Sequence, residues 1–292
     1  LFNCYQAYNP YYTFHIKQVP EVVGQKGRSN PWPRFWALLE SLRTRSTTGN
    51  SAREAIAELS ELFDDDEWNM VCRRVIIKDL RCGISEKTLN KVLKNTDWAI
   101  PVFSCQLAHD SANHESKVTG KKHIEVKLDG VRVITIVQPN GRVDMYSRNG
   151  KELVNFPHIA EQISKVAGQF TEPTVLDGEV MSSSFQDLMK QVHRKSDVQS
   201  NDAVLHLFDT LTLEEFKAGK SSVNQEKRSE TVYKWHKANR DVLPNVAVVG
   251  HELVDLDTDE GQKRYKEINA HAIAGGYEGI MLKDPAAGYE CK

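Results

Sequence analysis

The stretch IEVKLDGVR, residues 124–132, decides how the rest of the chain is interpreted. Apolar residues alternate with polar ones on both sides of an Asp-Gly pair, which predicts a strand, a tight turn and a second strand. Lys127 lies in this strand–turn–strand context, and a lysine kept uncharged there can attack a nucleotide phosphate to form a phosphoramidate. Arg132 can supply positive charge nearby, and Gly130 allows the backbone to turn close to a ligand. A surface hairpin with the same turn is the alternative that this stretch alone leaves open.

The residues after this stretch predict a mixed α+β domain. Pro139-Asn140-Gly141 is typical of a turn between antiparallel strands. Runs of β-branched and apolar residues predict further strands at Thr174–Met181, Ala203–Phe208, Val246–Val254 and Gly279–Lys283. Helical patterns lie between them, near Phe156–Val166, Leu213–Asn239 and Thr258–Ala274. Because strands and helices do not alternate regularly, we do not expect a doubly wound parallel sheet.

The first hundred residues predict helices instead. Apolar residues recur at helical spacing around Phe35–Leu42 and Ala52–Leu62. A basic helix is expected to end at Gly83, and Ser85 is expected to cap the next helix. The pattern changes near Ile100, so we expect two domains, residues 1–100 and residues 101–292.

Composition excludes several classes of protein. No segment approaches the roughly 20 apolar residues of a membrane span, so no membrane association is expected. The five cysteines form no CxxC pair, which argues against a zinc site or a disulfide framework and for reduced thiols. The net charge of −2 does not identify a nucleic-acid-binding protein. A local excess of basic residues over 73–94 fits either a phosphate-binding surface or a solvated helix face.

Five motifs then follow one another in a recognisable order. They are KLDGVR at Lys127–Arg132, SRNG at Ser147–Gly150, LDGEV at Leu176–Val180, HLFDTL at His206–Leu211 and YEGIMLK at Tyr277–Lys283. In this order they resemble the covalent nucleotidyltransferase superfamily, which contains DNA ligases, RNA ligases and mRNA capping enzymes. The resemblance implies an α+β adenylation domain of antiparallel sheets flanked by helices.

The resemblance also implies roles for the residues of the nucleotide site. Lys127 would become lysyl-AMP, and Glu125, on the same strand face, would recognise the adenine amine. Phe208 would stack on the adenine, as a flat apolar ring can. Arg132 and Arg148 would contact the ribose and phosphates, and Arg148 would also meet the 5′-phosphate of a nick.

Further residues would handle the charge of the phosphates. Glu179 would hold a ribose hydroxyl or assist a metal ion, and Glu278 would bind the catalytic Mg²⁺. Lys283 would approach a phosphate. Phosphoryl transfer needs mainly positioning and charge neutralisation, and Mg²⁺ needs only one or two carboxylates. ATP and Mg²⁺ are therefore the expected cofactors.

Within the superfamily the chain resembles ATP-dependent DNA ligases, closest to those of T-even bacteriophages. The segment Cys72–Leu93 is similar to their helical DNA-binding domain, and Arg132 favours ATP over NAD. The resemblance implies an all-α DNA-binding domain before the adenylation domain, in an enzyme of DNA repair, replication and recombination. Its partner would be nicked double-stranded DNA. The residues expected to bind the DNA backbone are Arg73, Arg74, Lys78, Arg81, Gly83, Lys87 and Lys91.

Other features of the resemblance are expectations of the same kind. We expect a monomer in the cytoplasm, or in the host cytoplasm if the protein is of phage origin. We also expect the chain to lack the first helices of the DNA-binding domain and the C-terminal OB-fold domain of these enzymes. The alternatives are an RNA ligase, a capping-type nucleotidyltransferase, or a non-catalytic nick-binding module.

Overall fold

The computed structural model describes residues 1–27, 30–182 and 202–291. The chain divides into two compact units, Leu1–Val102 and Phe103–Lys292, each of which is described by itself.

The regular elements in the described residues of the first unit are helices, joined by irregular segments. Its helices are α1 Phe2–Tyr8, α2 Trp32–Arg43, α3 Gly49–Ser60, α4 Arg73–Ile76 and α5 Glu86–Leu93, with a π-helical turn at Glu67–Cys72 before α4. Phe35, Phe63 and Trp68 are fully buried at the centre of its core. The predicted apolar helix faces are therefore the ones that pack inward.

The basic segment of this unit differs from its prediction. Helix α4 ends at Ile76, well before Gly83. Lys78 and Arg81 have left-handed backbone conformations, with φ of 56° and 48°. A right-handed α-helix cannot continue through such residues. The predicted cap at Ser85 is confirmed, because its hydroxyl accepts a hydrogen bond from the Thr88 backbone N–H at 3.3 Å.

The second unit is built on two main sheets. One has five strands in the order β3-β2-β4-β5-β7, and the other has three in the order β8-β1-β9. The bounds are β1 Lys121–Lys127, β2 Val131–Val137, β3 Val143–Ser147, β4 Thr174–Met181, β5 Val204–Thr212, β6 Lys220–Ser221, β7 Val246–Val248, β8 His251–Asp255, β9 Gly279–Lys283 and β10 Tyr289–Glu290. The pairings within the main sheets are antiparallel except for β5 with β7, and β6 pairs with β10 separately. The predicted mixed α+β class is confirmed for this unit.

Helices cover these sheets. They are α6 Pro157–Val166, α7 Leu213–Ala218, α8 Gln225–Asn239 and α9 Asp259–Ala274. Helices α6 and α8 contribute to the core of the five-stranded sheet, where Ile159, Ile163 and Val232 are buried. Helix α9 packs on the three-stranded sheet through Tyr265 and Ile268.

Two predicted elements are each divided in the structure. The strand expected at Val246–Val254 is interrupted at Val249 and Gly250, so that β7 and β8 belong to different sheets. The helix expected at Leu213–Asn239 stops at Gly219, whose φ of 69° ends α7. Apolar residues on both sides conceal the first break, whereas Gly219 and the Asn224 cap of α8 were sequence signals for the second.

The stretch 124–132 also crosses between sheets. Strand β1 belongs to the three-stranded sheet and β2 to the five-stranded sheet, so the turn is not a hairpin. Gly130 is required here for close approach, because a Cβ at this position would lie 2.3 Å from the Val180 carbonyl oxygen. By contrast, β2 and β3 form the hairpin predicted at Pro139–Gly141.

Gly178 provides a test of how tightly β4 and β5 are packed. A Cβ at Gly178 would lie 2.6 Å from the His206 carbonyl oxygen, whereas one at Gly250 would meet nothing within 4 Å. We expect Gly178→Ala to lower the free energy of unfolding by roughly 1–3 kcal/mol. Gly250→Ala, the control, should change it by less than about 0.5 kcal/mol. Urea denaturation measures both, and equal stability of the two variants would contradict the packing described.

Candidate active site

Lys127 lies beside Glu278 because β1 and β9 pair in antiparallel register. Lys127 is opposite Gly279, and the Glu278 N–H donates to the Lys127 carbonyl oxygen at 3.2 Å. The Lys127 ammonium donates to the Glu278 carboxylate. The two side chains remain 37% and 53% exposed, so a ligand can reach both of them.

Glu179, on β4 of the five-stranded sheet, lies near the turn that follows Lys127. Its Oε1 accepts the Gly130 backbone N–H at 3.2 Å. Burial raises the pKa of the Glu179 carboxyl from its ordinary value of 4.5 to about 7, against the opposing effects of that N–H and of Arg132. Lys127 also lies near enough to lower the pKa of Glu179. The structure therefore brings Lys127, Glu179 and Glu278 together.

Glu125 and Lys283 form a buried ion pair across β1 and β9. The Lys283 Nζ lies 2.7 Å from Glu125 Oε2, and both side chains are largely shielded from solvent. Burial raises the pKa of Glu125, and the Lys283 ammonium opposes that rise. Sequence reasoning expected Lys283 to approach a phosphate, whereas the structure places its ammonium against the carboxylate expected to recognise adenine.

Phe208 occupies a β-bulge. Asp177 on β4 is opposite Asp209 on β5, but the next residue, Gly178, is opposite Leu207, so Phe208 is the extra residue. Its carbonyl oxygen accepts the Lys283 ammonium at 3.3 Å. Bulges often redirect a side chain toward a functional site.

The Phe208 ring lies between charged groups of the two sheets. The Lys283 Nζ is 4.9 Å from the ring centroid, and the Arg132 Cζ is 5.3 Å from it. Glu125, Lys283, Phe208 and Arg132 therefore form one continuous set of contacts. A cation near an aromatic face is attracted by its quadrupole, which favours this arrangement.

Arg132 is bound to a buried carboxylate. Its Nε and Nη2 donate to the two Asp177 oxygens at 3.0 and 2.7 Å, and its Nη1 donates to the Gln106 carbonyl at 2.7 Å. Burial alone would lower the pKa of the guanidinium, but Asp177 more than offsets this and raises it. Because Asp177 balances its charge, Arg132 is poorly placed to supply the positive charge expected beside Lys127. Arg148 lies in the exposed turn after β3.

Sequence reasoning missed three charged residues near this site. Asp177 and Asp209 lie within recognised motifs, and an acidic residue inside an otherwise apolar strand was the signal available for them. Arg228, which binds Asp209, lies in α8 and carried no signal in the sequence.

The residues expected to bind DNA fall into two groups. Arg73 donates to the Val19 carbonyl at 2.8 Å, and Lys78 donates to the Asn9 and Tyr12 carbonyls, so both tie the first unit together. Arg74 is half-buried. The exposed residues of the set are Arg81, Gly83, Lys87 and Lys91.

Comparisons with known proteins identify the family of this chain. Residues 105–292 match the ATP dependent DNA ligase domain. The chain belongs to this family. The DNA ligase of Halobacterium salinarum is 30% identical over 177 residues, which are 57% of this chain and 29% of that protein. The DNA ligase of Haloferax volcanii is 26% identical over 193 residues, with 58% and 28% covered.

A solved structure is similar over the whole chain. The protein named Pmar-Lig_PreS3 is 51% identical, with a TM-score of 0.67, and the match covers 100% of this chain and 68% of that one. The chain thus spans less than a third of the length of the curated archaeal relatives, but about two thirds of this solved chain. None of the helices in the described ranges is long and apolar enough to span a membrane.

The pKa of Glu179 predicts a dependence of stability on pH. Because the folded protein holds this proton up to about pH 7, whereas an unfolded glutamate releases it near its ordinary pKa of 4.5, stability must fall as pH rises through that window. Glu179→Gln removes the titrating group. In the absence of ligand, the variant should lose about 2–3 kcal/mol less than the wild type between pH 4 and 8. Urea denaturation across this range measures the difference. The exposed Glu172→Gln is the control, and identical pH profiles for all three proteins would contradict the assignment.

Proposed function

We propose that this chain carries the catalytic centre of an ATP-dependent DNA ligase that seals 5′-phosphate/3′-hydroxyl nicks. The observation that carries the proposal is the reachable Lys127 amine, held by Glu278 and close to Glu179, in the part of the chain that matches the ligase family. Lys127 attacks the α-phosphate of ATP and releases pyrophosphate. The AMP then moves to the 5′-phosphate of the nick, and the 3′-hydroxyl displaces it.

Glu125 and Phe208 are proposed to bind the base. A carboxylate accepts hydrogen bonds, which suits the amine of adenine better than the carbonyl of guanine. The Phe208 ring is redirected by the bulge and offers a flat surface for stacking. Lys283 contacts Oε2 of Glu125, and in this proposal Oε1 accepts the hydrogen bond from adenine.

The proposed Mg²⁺ would be held by Glu278, with Glu179 in support. Both offer carboxylate oxygens, the ligands that Mg²⁺ prefers, and Glu278 is open to solvent. When bound, the ion would neutralise charge on the phosphates. The pairing of β1 with β9 places the Lys127 amine next to the Glu278 carboxylate. In this proposal Arg148 contacts the ribose and phosphates, whereas Arg132 stays bound to Asp177 and supports the Phe208 ring.

The first unit is proposed to be the DNA-binding domain, and residues 101–292 the adenylation domain. Of the exposed residues, Arg81 and Gly83 precede α5, Lys87 lies in its first turn and Lys91 in its last turn. Lysine and arginine contacts to phosphates provide affinity without reading sequence, as an enzyme that accepts any nick requires.

Several finer features stay predictions. They are the similarity to T-even phage ligases, a monomeric state and a cytoplasmic location. The curated relatives described above are archaeal, and they support the ligase family rather than a phage origin.

Loss of Lys127 tests the proposed chemistry. The chain is incubated with Mg²⁺ and ATP labelled at the α-phosphate, and label bound to protein is measured on a denaturing gel. Lys127→Ala should reduce it at least 100-fold, because the amine proposed to form the phosphoramidate is then missing, whereas the exposed Lys121→Ala on the same strand should retain it. Labelling by GTP instead of ATP would favour a capping-type enzyme. No labelling of the wild type would favour a nick-binding module.

The exposed lysines of α5 test the proposed DNA surface. Lys87→Ala/Lys91→Ala should weaken binding to a nicked duplex and reduce the slope of log affinity against log salt by up to about 2, because each lost phosphate contact removes roughly 0.9. Lys263→Ala/Lys266→Ala on α9 removes the same charge elsewhere and is the control. Unchanged affinity and slope in the α5 variant would exclude these lysines from the DNA contact.

A further inference from the structure

Two buried ion pairs lie side by side at the bulge that carries Phe208. Asp177 and Asp209 are directly opposite one another on β4 and β5, so their side chains leave the same face of the sheet. Each has its own arginine, Arg132 for Asp177 and Arg228 for Asp209. Only the first pair contains a residue that the family resemblance implicates in nucleotide binding.

The Asp209–Arg228 pair is almost completely enclosed. Arg228 Nε lies 2.7 Å from Asp209 Oδ1 and its Nη2 lies 3.2 Å from Oδ2, with the two side chains 5% exposed or less. Arg228 also donates to the Gln225 Oε1 at 2.8 Å and to the Val223 carbonyl. Asp209 Oδ1 in addition accepts the N–H of Thr210 at 2.9 Å. The pair therefore fixes the backbone of β5 immediately after Phe208 to the start of α8.

The same arginine joins a path of contacts that returns to the Phe208 ring. Arg228 lies over the Tyr289 ring, 5.7 Å from its centroid, and the Tyr289 hydroxyl accepts the Gln106 N–H at 2.8 Å. The Gln106 carbonyl binds Arg132, which contacts Phe208. Phe208 is thus held from two sides, through its neighbour Asp209 and through Arg132.

A buried ion pair is a costly way to obtain stability, since apolar residues of similar volume often stabilise as well or better. It is effective at fixing a register. Without the bulge at Phe208, the residues of β5 before Asp209 would pair with β4 in a register shifted by one residue. Such a slip would exchange the directions of the buried Leu207 and of Phe208. Because Arg228 holds Asp209, the residue directly after Phe208, the ion pair prevents this change of register where it would begin.

The geometry points to Asp209 and Arg228 as positioning residues for base recognition: they hold the β5 bulge so that Phe208 faces the nucleotide. This inference rests on the proposed function, because it assumes that a purine stacks on Phe208. Neither residue touches the nucleotide in it. Their loss therefore raises the KM for ATP through Phe208, while the rate of lysyl-AMP formation at saturating ATP changes little.

A double-mutant cycle tests this in the full chain. Lysyl-AMP formation is measured against ATP concentration for wild type, Arg228→Met, Phe208→Leu and the double variant. We expect Arg228→Met to raise the KM about tenfold when Phe208 is present and less than twofold when leucine replaces it. Arg228→Lys should restore most of the affinity. Arg264→Met, which removes an exposed ion pair between Arg264 on α9 and Glu252 on β8, should leave the KM unchanged.

A second variant guards against a folding failure, because Arg228→Met leaves Asp209 buried without a partner. Asp209→Asn/Arg228→Gln replaces both charges by amides, and its folded state is verified by circular dichroism before assay. A raised KM in this variant, again dependent on Phe208, supports the inference. An unchanged KM, or an equal increase with and without Phe208, overturns it. If the wild type itself forms no lysyl-AMP, it is the proposed function that fails, and the cycle separates the two cases.

Discussion

The antiparallel pairing of β1 with β9 is the constraint on which the candidate site depends. It brings Lys127 into contact with Glu278, which is 151 residues away along the chain. The same ladder carries the Glu125–Lys283 pair and, further along, Lys122 with Asp284 at 3.6 Å. Cross-strand neighbours of opposite charge stabilise the register they define. A shift of this register by one residue would turn the Lys127 amine to the opposite face of the sheet and separate it from Glu278.

The site separates charges that are balanced in the interior from charges that a ligand can meet. Arg132 and Arg228 each have a buried aspartate, and Lys283 has Glu125, so these groups serve as rigid supports with little free charge. Breaking any one pair would leave an uncompensated buried charge, which is far more costly than losing a surface contact. Lys127 and Glu278 instead pair at the surface, where exchange of partners with a ligand is inexpensive. The buried ion pairs thus hold their side chains in fixed positions around the exposed Lys127–Glu278 pair, and fixed geometry is what the positioning of a reactant requires.

The sequence was sufficient for the helices of the first unit, for the mixed class of the second, for the Ser85 cap and for the proximity of Glu179 and Glu278 to Lys127, because these follow from local pattern and ordered motifs. It was insufficient where two distant segments determine the outcome. The bulge at Phe208 depends on how β4 meets β5, and the ion pair of Asp209 with Arg228 joins strand to helix. Lys78 has the composition of a DNA-binding residue, but its ammonium is used by backbone carbonyls of the same unit. Charge alone does not distinguish these uses.

The short crossings between the two sheets have a consequence for the shape of the cleft. The chain passes from one sheet to the other through residues 128–130 and returns through Val249 and Gly250. Three Cα steps separate Val248 from His251, so the sheets are covalently restrained to within about 11 Å at that point. His251 is opposite Glu125, and Val248 is opposite Leu207, next to Phe208. The short connection therefore keeps the Glu125 carboxylate and the Phe208 ring near one another through the covalent chain, in addition to the contacts that both make with Lys283.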